Sequence, residues 1–270
     1  METAAFVLFP VMARLLFTCA YDGSPFCGWQ SQRGGESVQD TIEVAVAAIL
    51  RAPLRIAASG WTDAGVHAHA QCFHADIPAE CRMTPANWQA ALNAHLPASI
   101  RILSVQEVKD SFHARFSAVG KEYEYLICTE PVLSPFLSGR AWHLPHAFDV
   151  DLLEQALHLY QGEHDFRRFA ANRGNEPAEP PADFYVRTIY SATLQREPGL
   201  LRLRLHGNGF MYRMVRLLVG TAHQVARGRM SAAELSAMLV NPLGCKTRHC
   251  APAGGLYLRR VFYQPPAAED

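Results

Sequence analysis

One acid in a bed of small residues constrains this chain more than any other feature. Asp63 lies within Gly60-Trp61-Thr62-Asp63-Ala64-Gly65-Val66-His67-Ala68, between two apolar runs at 54–58 and 70–77. A run, a glycine-containing turn and a second run read as strand, turn and strand. An ionised carboxylate buried without a cation is too costly to keep. Asp63 is therefore either a solvated turn residue or a group presented for chemistry. Asp and Gly are ordinary turn formers, so the turn taken alone favours the first reading. The rest of the chain favours the second.

Around this turn, strand and helix patterns alternate. An apolar run at 15–20 ends in the turn residues Asp22, Gly23 and Ser24. Ser37 caps a helix with Asp40 in its first turn, and Val38, Ile42, Ala45, Val46 and Ile49 recur at helical spacing until Pro53. Further patterns predict a strand over 71–77, a helix over 85–95 and a strand over 100–108. The second half repeats the theme: a strand at 123–128, a helix at 150–160, strands at 185–195 and 200–206, helices at 212–226 and 232–239, and a last strand at 255–263. Within 70–77, Ala70, Cys72, His74 and Asp76 alternate with Gln71, Phe73, Ala75 and Ile77, which predicts a half-buried strand. The whole reads as α+β, two related lobes sharing one sheet with a cleft between them. The Pro-rich stretch 175–183 reads as a flexible surface loop.

Composition excludes several classes. A chain of 270 residues that is 49% apolar and has no net charge is globular, with room for one large domain or two moderate ones. Neutrality argues against broad nucleic-acid binding but leaves room for a local basic groove. Arg202, Arg204, Arg213, Arg216, Arg227 and Arg229 crowd into one short stretch and could line it. Seven cysteines without a Cys-x-x-Cys fit a reducing compartment, and the cytoplasm is expected. Neither His67, His69, Cys72 and His74 nor Cys245, His249 and Cys250 reads as a structural zinc site, so neither metal nor cofactor is expected. The apolar run 4–9 follows Glu2 and is interrupted by Pro10 and Arg14, which fits neither a signal peptide nor a membrane span. Residues 1–11 are expected to be a dispensable extension.

The motifs, taken in order, resemble the TruA family of tRNA pseudouridine synthases. Besides the Asp63 loop they are Tyr21-Asp22-Gly23-Ser24 with Gly28-Trp29-Gln30, Leu92-Asn93-Ala94-His95-Leu96-Pro97, and Phe112-His113-Ala114-Arg115-Phe116-Ser117-Ala118. Lys121-Glu122-Tyr123-Glu124-Tyr125, Gly162-Glu163-His164-Asp165-Phe166, Phe210-Met211-Tyr212-Arg213-Met214-Val215-Arg216 and Ala251-Pro252-Ala253-Gly254-Gly255-Leu256-Tyr257-Leu258 follow.

The resemblance implies the pseudouridine-synthase fold, a mixed and mainly antiparallel sheet. It places an N-terminal lobe carrying the Asp loop at 12–112, a C-terminal lobe at 113–265 and a tail at 266–270. It implies isomerisation of uridine in the anticodon stem-loop of tRNA, at positions 38–40, by a homodimer. Asp63 matches the catalytic aspartate, Tyr123 the aromatic residue under the target base, and Arg216 the arginine that pairs with the aspartate. Arg115 is expected to brace the fold or touch phosphate. Trp61 departs from the family, which carries arginine there to help expel the uridine. A tryptophan can wedge and stack but cannot bind phosphate. Two other readings follow: a non-catalytic or weakly active tRNA-binding paralogue, and a metal hydrolase using Asp63, His67 and His69.

Overall fold

The computed structural model of the chain describes residues 13–32, 34–174, 177 and 179–263. The expected extension at 1–11 and tail at 266–270 lie outside the described residues, as do 175, 176 and 178 of the Pro-rich stretch.

Among the described residues, ten strands form one sheet. In chain order they are β1 (Ala13–Tyr21), β2 (Ala57–Ala58), β3 (His67–Ile77), β4 (Ile100–Val108), β5 (Gly120–Cys128), β6 (Trp142–His143), β7 (Gly162–Asp165), β8 (Val186–Glu197), β9 (Leu200–Gly207) and β10 (Leu256–Phe262). The spatial order is β4-β1-β3-β10-β5-β9-β8-β7, with β2 on β3 and β6 on β5. Pairing is antiparallel except for β10 on β3 and β6 on β5. The last strand therefore sits in the middle of the sheet and joins the strands of the two halves. It is antiparallel to β5, with Leu258 opposite Tyr123, and parallel to β3, with Tyr257 opposite His67.

Among the described residues, five α-helices cover the sheet: α1 (Val38–Leu50), α2 (Pro85–His95), α3 (Val150–His158), α4 (Met214–Ala226) and α5 (Ala232–Val240). Their starts are written in the sequence. Ser37 caps α1 by accepting from the Asp40 amide, Thr84 caps α2 ahead of Pro85, and Ser231 and Glu234 form a reciprocal capping box on α5. Two hydrophobic cores result. In one, Phe17 stacks on Phe73 and meets the edge of Trp88 beneath α1 and α2. In the other, Tyr125, Ile127, Leu203 and Leu205 pack under α3 and α4.

Two expectations need correction. The strand expected over 54–58 is reduced to Ala57–Ala58, because the Ile56 amide donates to the Glu43 carboxylate instead of to a neighbouring strand. The strand over 71–77 begins earlier, at His67, and is buried on both faces rather than one. Its second face is covered by the 112–114 turn and Tyr263. The Ala114 amide donates to His74 Nδ1, and the Tyr263 hydroxyl donates to the Ala114 carbonyl.

Candidate active site

The Asp63 loop runs from the end of β2 to the start of β3 and is held from beneath by buried polar groups. Gln71, fully buried on β3, accepts from the Ser59 hydroxyl (2.6 Å) and donates to the Gly60 carbonyl (2.9 Å). Thr62 Oγ1 and the Tyr21 hydroxyl lie 2.8 Å apart, and the Trp29 amide donates to the Thr62 carbonyl (3.1 Å). Buried polar atoms without such partners would each cost on the order of 1–3 kcal/mol, so this network fixes the loop in one shape. Gly28 belongs to the same scaffold. Its φ is +96°, and a Cβ there would fall 2.7 Å from the Thr62 carbonyl oxygen, which leaves room only for glycine.

Arg216 meets Asp63 from the other half of the chain. The helix α4 begins after Arg213, whose left-handed backbone (φ 58°, ψ 8°) is unusual for a side-chain-bearing residue. That turn puts Tyr212 and Arg213 beside the cleft and aims Arg216 at the loop. Arg216 Nη1 donates to Asp63 Oδ2 at 2.8 Å while its Nε donates to the Ala251 carbonyl, also at 2.8 Å. Both side chains are part-buried, about 15% exposed. The ion pair fixes the direction in which the carboxylate points.

Around this pair opens a cleft of about 580 Å³, lined among others by Trp61, Asp63, Lys121, Tyr123, Phe210 and Tyr212. That is ample for one nucleotide. Tyr123 stands edge-to-face with Phe210, ring centres 5.0 Å apart. Burial first, and then the neighbouring Asp63 carboxylate, push the Tyr123 hydroxyl far above its ordinary value, so it keeps its proton. Lys121, two residues earlier on β5, donates to the Ser59 carbonyl at 2.7 Å. Burial, helped by Arg115, lowers its pKa to about 8. Trp61 is 37% exposed and lies at the cleft with Arg173 4.8 Å and Arg115 5.5 Å from its ring centre.

The structure thus brings Trp61, Asp63 and Tyr123 to one cleft, with Arg216 bonded to Asp63 at its wall. Tyr125, next on the same face of β5, is core, and its hydroxyl donates to the Pro252 carbonyl. Sequence reasoning missed Lys121, Arg173, Phe210 and the Gln71 network. A glutamine inside an apolar strand, and the places of Lys121 and Phe210 within the quoted motifs, were the available signals.

The six-arginine groove does not exist as one surface. Arg202 and Arg204 project from the face of β9 opposite Leu201, Leu203 and Leu205, and both clamp the buried carboxylate of Glu124 (3.2 and 3.0 Å). Arg213 and Arg216 lie at the cleft, whereas Arg227 and Arg229 lie past the far end of α4, about three helical turns away. The histidines proposed as metal ligands have other partners. His67 Nδ1 accepts from the Gly23 amide and its Nε2 faces the Gly139 carbonyl, while His69 stacks on Tyr257.

The paired aspartate thus lines a cleft over a mixed sheet whose strand β10 joins the two halves. The chain belongs to the tRNA pseudouridine synthase family, whose sequence pattern matches residues 18–117 and 156–264. It is 49% identical over 253 residues to tRNA pseudouridine synthase A of Akkermansia muciniphila, covering 93% of this chain and 96% of that one. The protein of the same name from Methylacidiphilum infernorum is 40% identical over 248 residues, covering 92% and 94%. That of a Geobacillus species is 39% identical over 255 residues, covering 93% and 98%.

Proposed function

We propose that this chain is a cofactor-free tRNA pseudouridine synthase, an isomerase acting on uridine in the anticodon stem-loop, with Asp63 as its essential carboxylate. The reaction breaks the bond from C1′ to N1 and makes one from C1′ to C5. The C5 hydrogen leaves as a proton and N1 gains one, so atoms balance and no oxidation state changes overall. The observation that carries the reading is the Asp63–Arg216 pair in the cleft of a member of this family.

Each neighbour has a physical task. Arg216 holds the Asp63 carboxylate pointed at the ribose. Tyr123 supplies a ring for the flipped base, and base stacking worth about 1–3 kcal/mol offsets much of the cost of unstacking it. Trp61 fills the gap in the strand, as apolar and aromatic wedges do. Asp63, Tyr123 and Arg216 persist together, which favours the enzyme over a binding-only paralogue. The two hydrophobic cores support lobes at 12–112 and 113–265. The working form is a cytoplasmic homodimer, two-fold assembly being the commonest closed arrangement.

The test is pseudouridine formation on unmodified tRNA by wild type, Asp63→Asn and Trp61→Arg. Product from wild type that vanishes in Asp63→Asn is expected, with tRNA binding kept in both. Wild-type protein that binds tRNA and makes no product would overturn the assignment. Light scattering giving the mass of a single chain would overturn the dimer.

A further inference from the structure

Asp22, His67 and Tyr257 belong to three separate sequence motifs and have no task in the chemistry above, yet they meet directly behind the Asp63 loop. His67 opens β3 where that loop ends, and it is 2% exposed. Its Nδ1 accepts from the Gly23 amide at 3.0 Å, which leaves Nε2 to carry the hydrogen and donate to the Gly139 carbonyl, also at 3.0 Å. The ring stacks on Tyr257, with centres 4.6 Å apart and planes 19° from parallel. Asp22 Oδ1 accepts from the Ser24 amide (3.0 Å), an Asx turn that presents the Gly23 amide to the imidazole. The same oxygen lies 3.2 Å from His67 Nδ1, and Arg140 pairs with the other, neutralising the carboxylate beside the Nδ1 lone pair. Tyr257 completes the clasp by donating its hydroxyl to the Arg140 carbonyl (2.8 Å).

The clasp grips both ends of the aspartate loop. Tyr21 reaches its entry through Thr62, and Gly23 presses on its exit, where a Cβ would fall 2.0 Å from the Val66 carbonyl oxygen. Val66 in turn donates its amide to the Asp63 carbonyl at 3.1 Å, closing the turn that carries the carboxylate. The other side of the clasp comes from the second half of the chain. Gly254 packs on the Gly139 carbonyl, and Ala251, three residues earlier, accepts from Arg216. Asp63 and Arg216 are therefore both registered to the 251–257 segment, one through His67 and the other through the Ala251 carbonyl. Stability alone accounts poorly for the outer member of the clasp. Arg140 is 46% exposed, and an ion pair so open to water adds little to the folded state.

Resting on the pseudouridine synthase reading, we infer that His67 is a positioning residue for the reaction, clamped between the Asp22–Ser24 turn and the Gly139–Arg140 corner so that it sets the register of Asp63 against Arg216. It touches no reacting atom. It acts through Gly23 and Val66 on the turn that presents the carboxylate, and through Gly139 on the segment that anchors the arginine. Arg140 serves the same end at one remove: without it an uncompensated carboxylate would face the Nδ1 lone pair and loosen the Gly23 contact.

The experiment measures kcat and KM on unmodified tRNA, well below each Tm, for wild type, His67→Gln, Arg140→Gln and Arg140→Lys. Leu153→Ala, a cavity in the core under α3, controls for lost stability alone and is expected to lower Tm while leaving kcat unchanged. His67→Gln keeps a donor for Gly139 and takes the acceptor from Gly23. It is expected to lower kcat about 10- to 100-fold, the loss that a misplacement on the order of 1 Å produces, with KM little changed. Arg140→Gln should lower kcat with a Tm shift below about 4 °C, and Arg140→Lys, which restores the charge, should recover most of the rate. Should His67→Gln fail to fold, the two Arg140 variants carry the test. Hydrogen exchange at the Val66 amide reads the loop without turnover, and it should quicken in His67→Gln and Arg140→Gln beyond what global stability explains. A kcat equal to wild type in these two variants, or one that merely tracks Tm, would overturn the positioning role. Wild-type protein that makes no product sinks the enzymatic reading instead. In that case quickened Val66 exchange leaves the clasp standing, and unchanged exchange overturns it too.

Discussion

Arg216 holds Asp63 with one guanidinium nitrogen and the carbonyl of Ala251 with another, both at 2.8 Å. A single side chain on α4 thereby ties the Asp loop of the first half to the segment that leads into β10. Removing the cation leaves a part-buried carboxylate unpaired. Arg216→Met should cost on the order of 3 kcal/mol and lower Tm by roughly 6–12 °C, with activity lost. The double variant Asp63→Asn, Arg216→Met should recover part of that Tm, because the orphaned charge is gone. Calorimetry of wild type and the two variants checks this.

Gly220 should tolerate no side chain. It lies in the middle of α4, where a Cβ would fall 2.0 Å from the His249 carbonyl oxygen and 3.0 Å from the Ala251 amide. Gly220→Ala should gain helix propensity, yet lose about 1–3 kcal/mol to overpacking and push the 249–251 segment off the helix. Since Ala251 anchors Arg216, kcat should fall with stability, whereas an alanine at the open Gly228 should leave kcat alone. Thermal melts and single-turnover rates read both effects.

Lys121 gives the protein a titration at mildly alkaline pH. The folded protein holds it at about 8 against an ordinary 10.5. Between these values only the unfolded chain takes up the proton, so this group makes stability rise with pH from about 8 to 10.5. Binding runs the other way, because the cleft loses a positive charge as pH passes 8. The difference in Tm between wild type and Lys121→Met, followed from pH 7 to 10.5, should show the first effect. Affinity for tRNA over the same range should fall more steeply in wild type than in the variant.

His223, packed between Trp142 and Phe148, governs the acid side. Burial, with Arg227 and Arg229 nearby, lowers its pKa to about 4. Between pH 6.5 and 4 the unfolded chain binds a proton that the folded protein refuses, so stability falls as pH drops through that window. His223→Leu should flatten this part of the Tm profile without changing activity at pH 7.5.

The sequence was most legible where local chemistry decides. The helix over 85–95 and the strand over 100–108 match to the residue, because Thr84 and Pro85 mark one start and alternation carries the other. The helix expected over 212–226 begins two residues late, since Arg213 adopts a left-handed turn that no composition signals. The six-arginine groove failed for a geometric reason: proximity in sequence says nothing about which face of a strand, or which end of a helix, a side chain occupies. Lys121 and Gln71 were overlooked because both types usually belong to surfaces. Their burial follows from contacts 62 residues away for Lys121 with Ser59, and 12 for Gln71 with Ser59.

The central seat of β10 sets an order on assembly. A ribosome delivers residues 256–262 after every helix among the described residues and after both sheet segments they must join. Until then the nascent halves can bury their own cores, yet the lane between β3 and β5 stands open, and its long-range pairings are the slow kind. The Ala251 anchor for Arg216 arrives only a few residues ahead of that strand. A chain that stops short of β10 leaves the lane between β3 and β5 unfilled and lacks Leu256, which lines the Asp63 cleft.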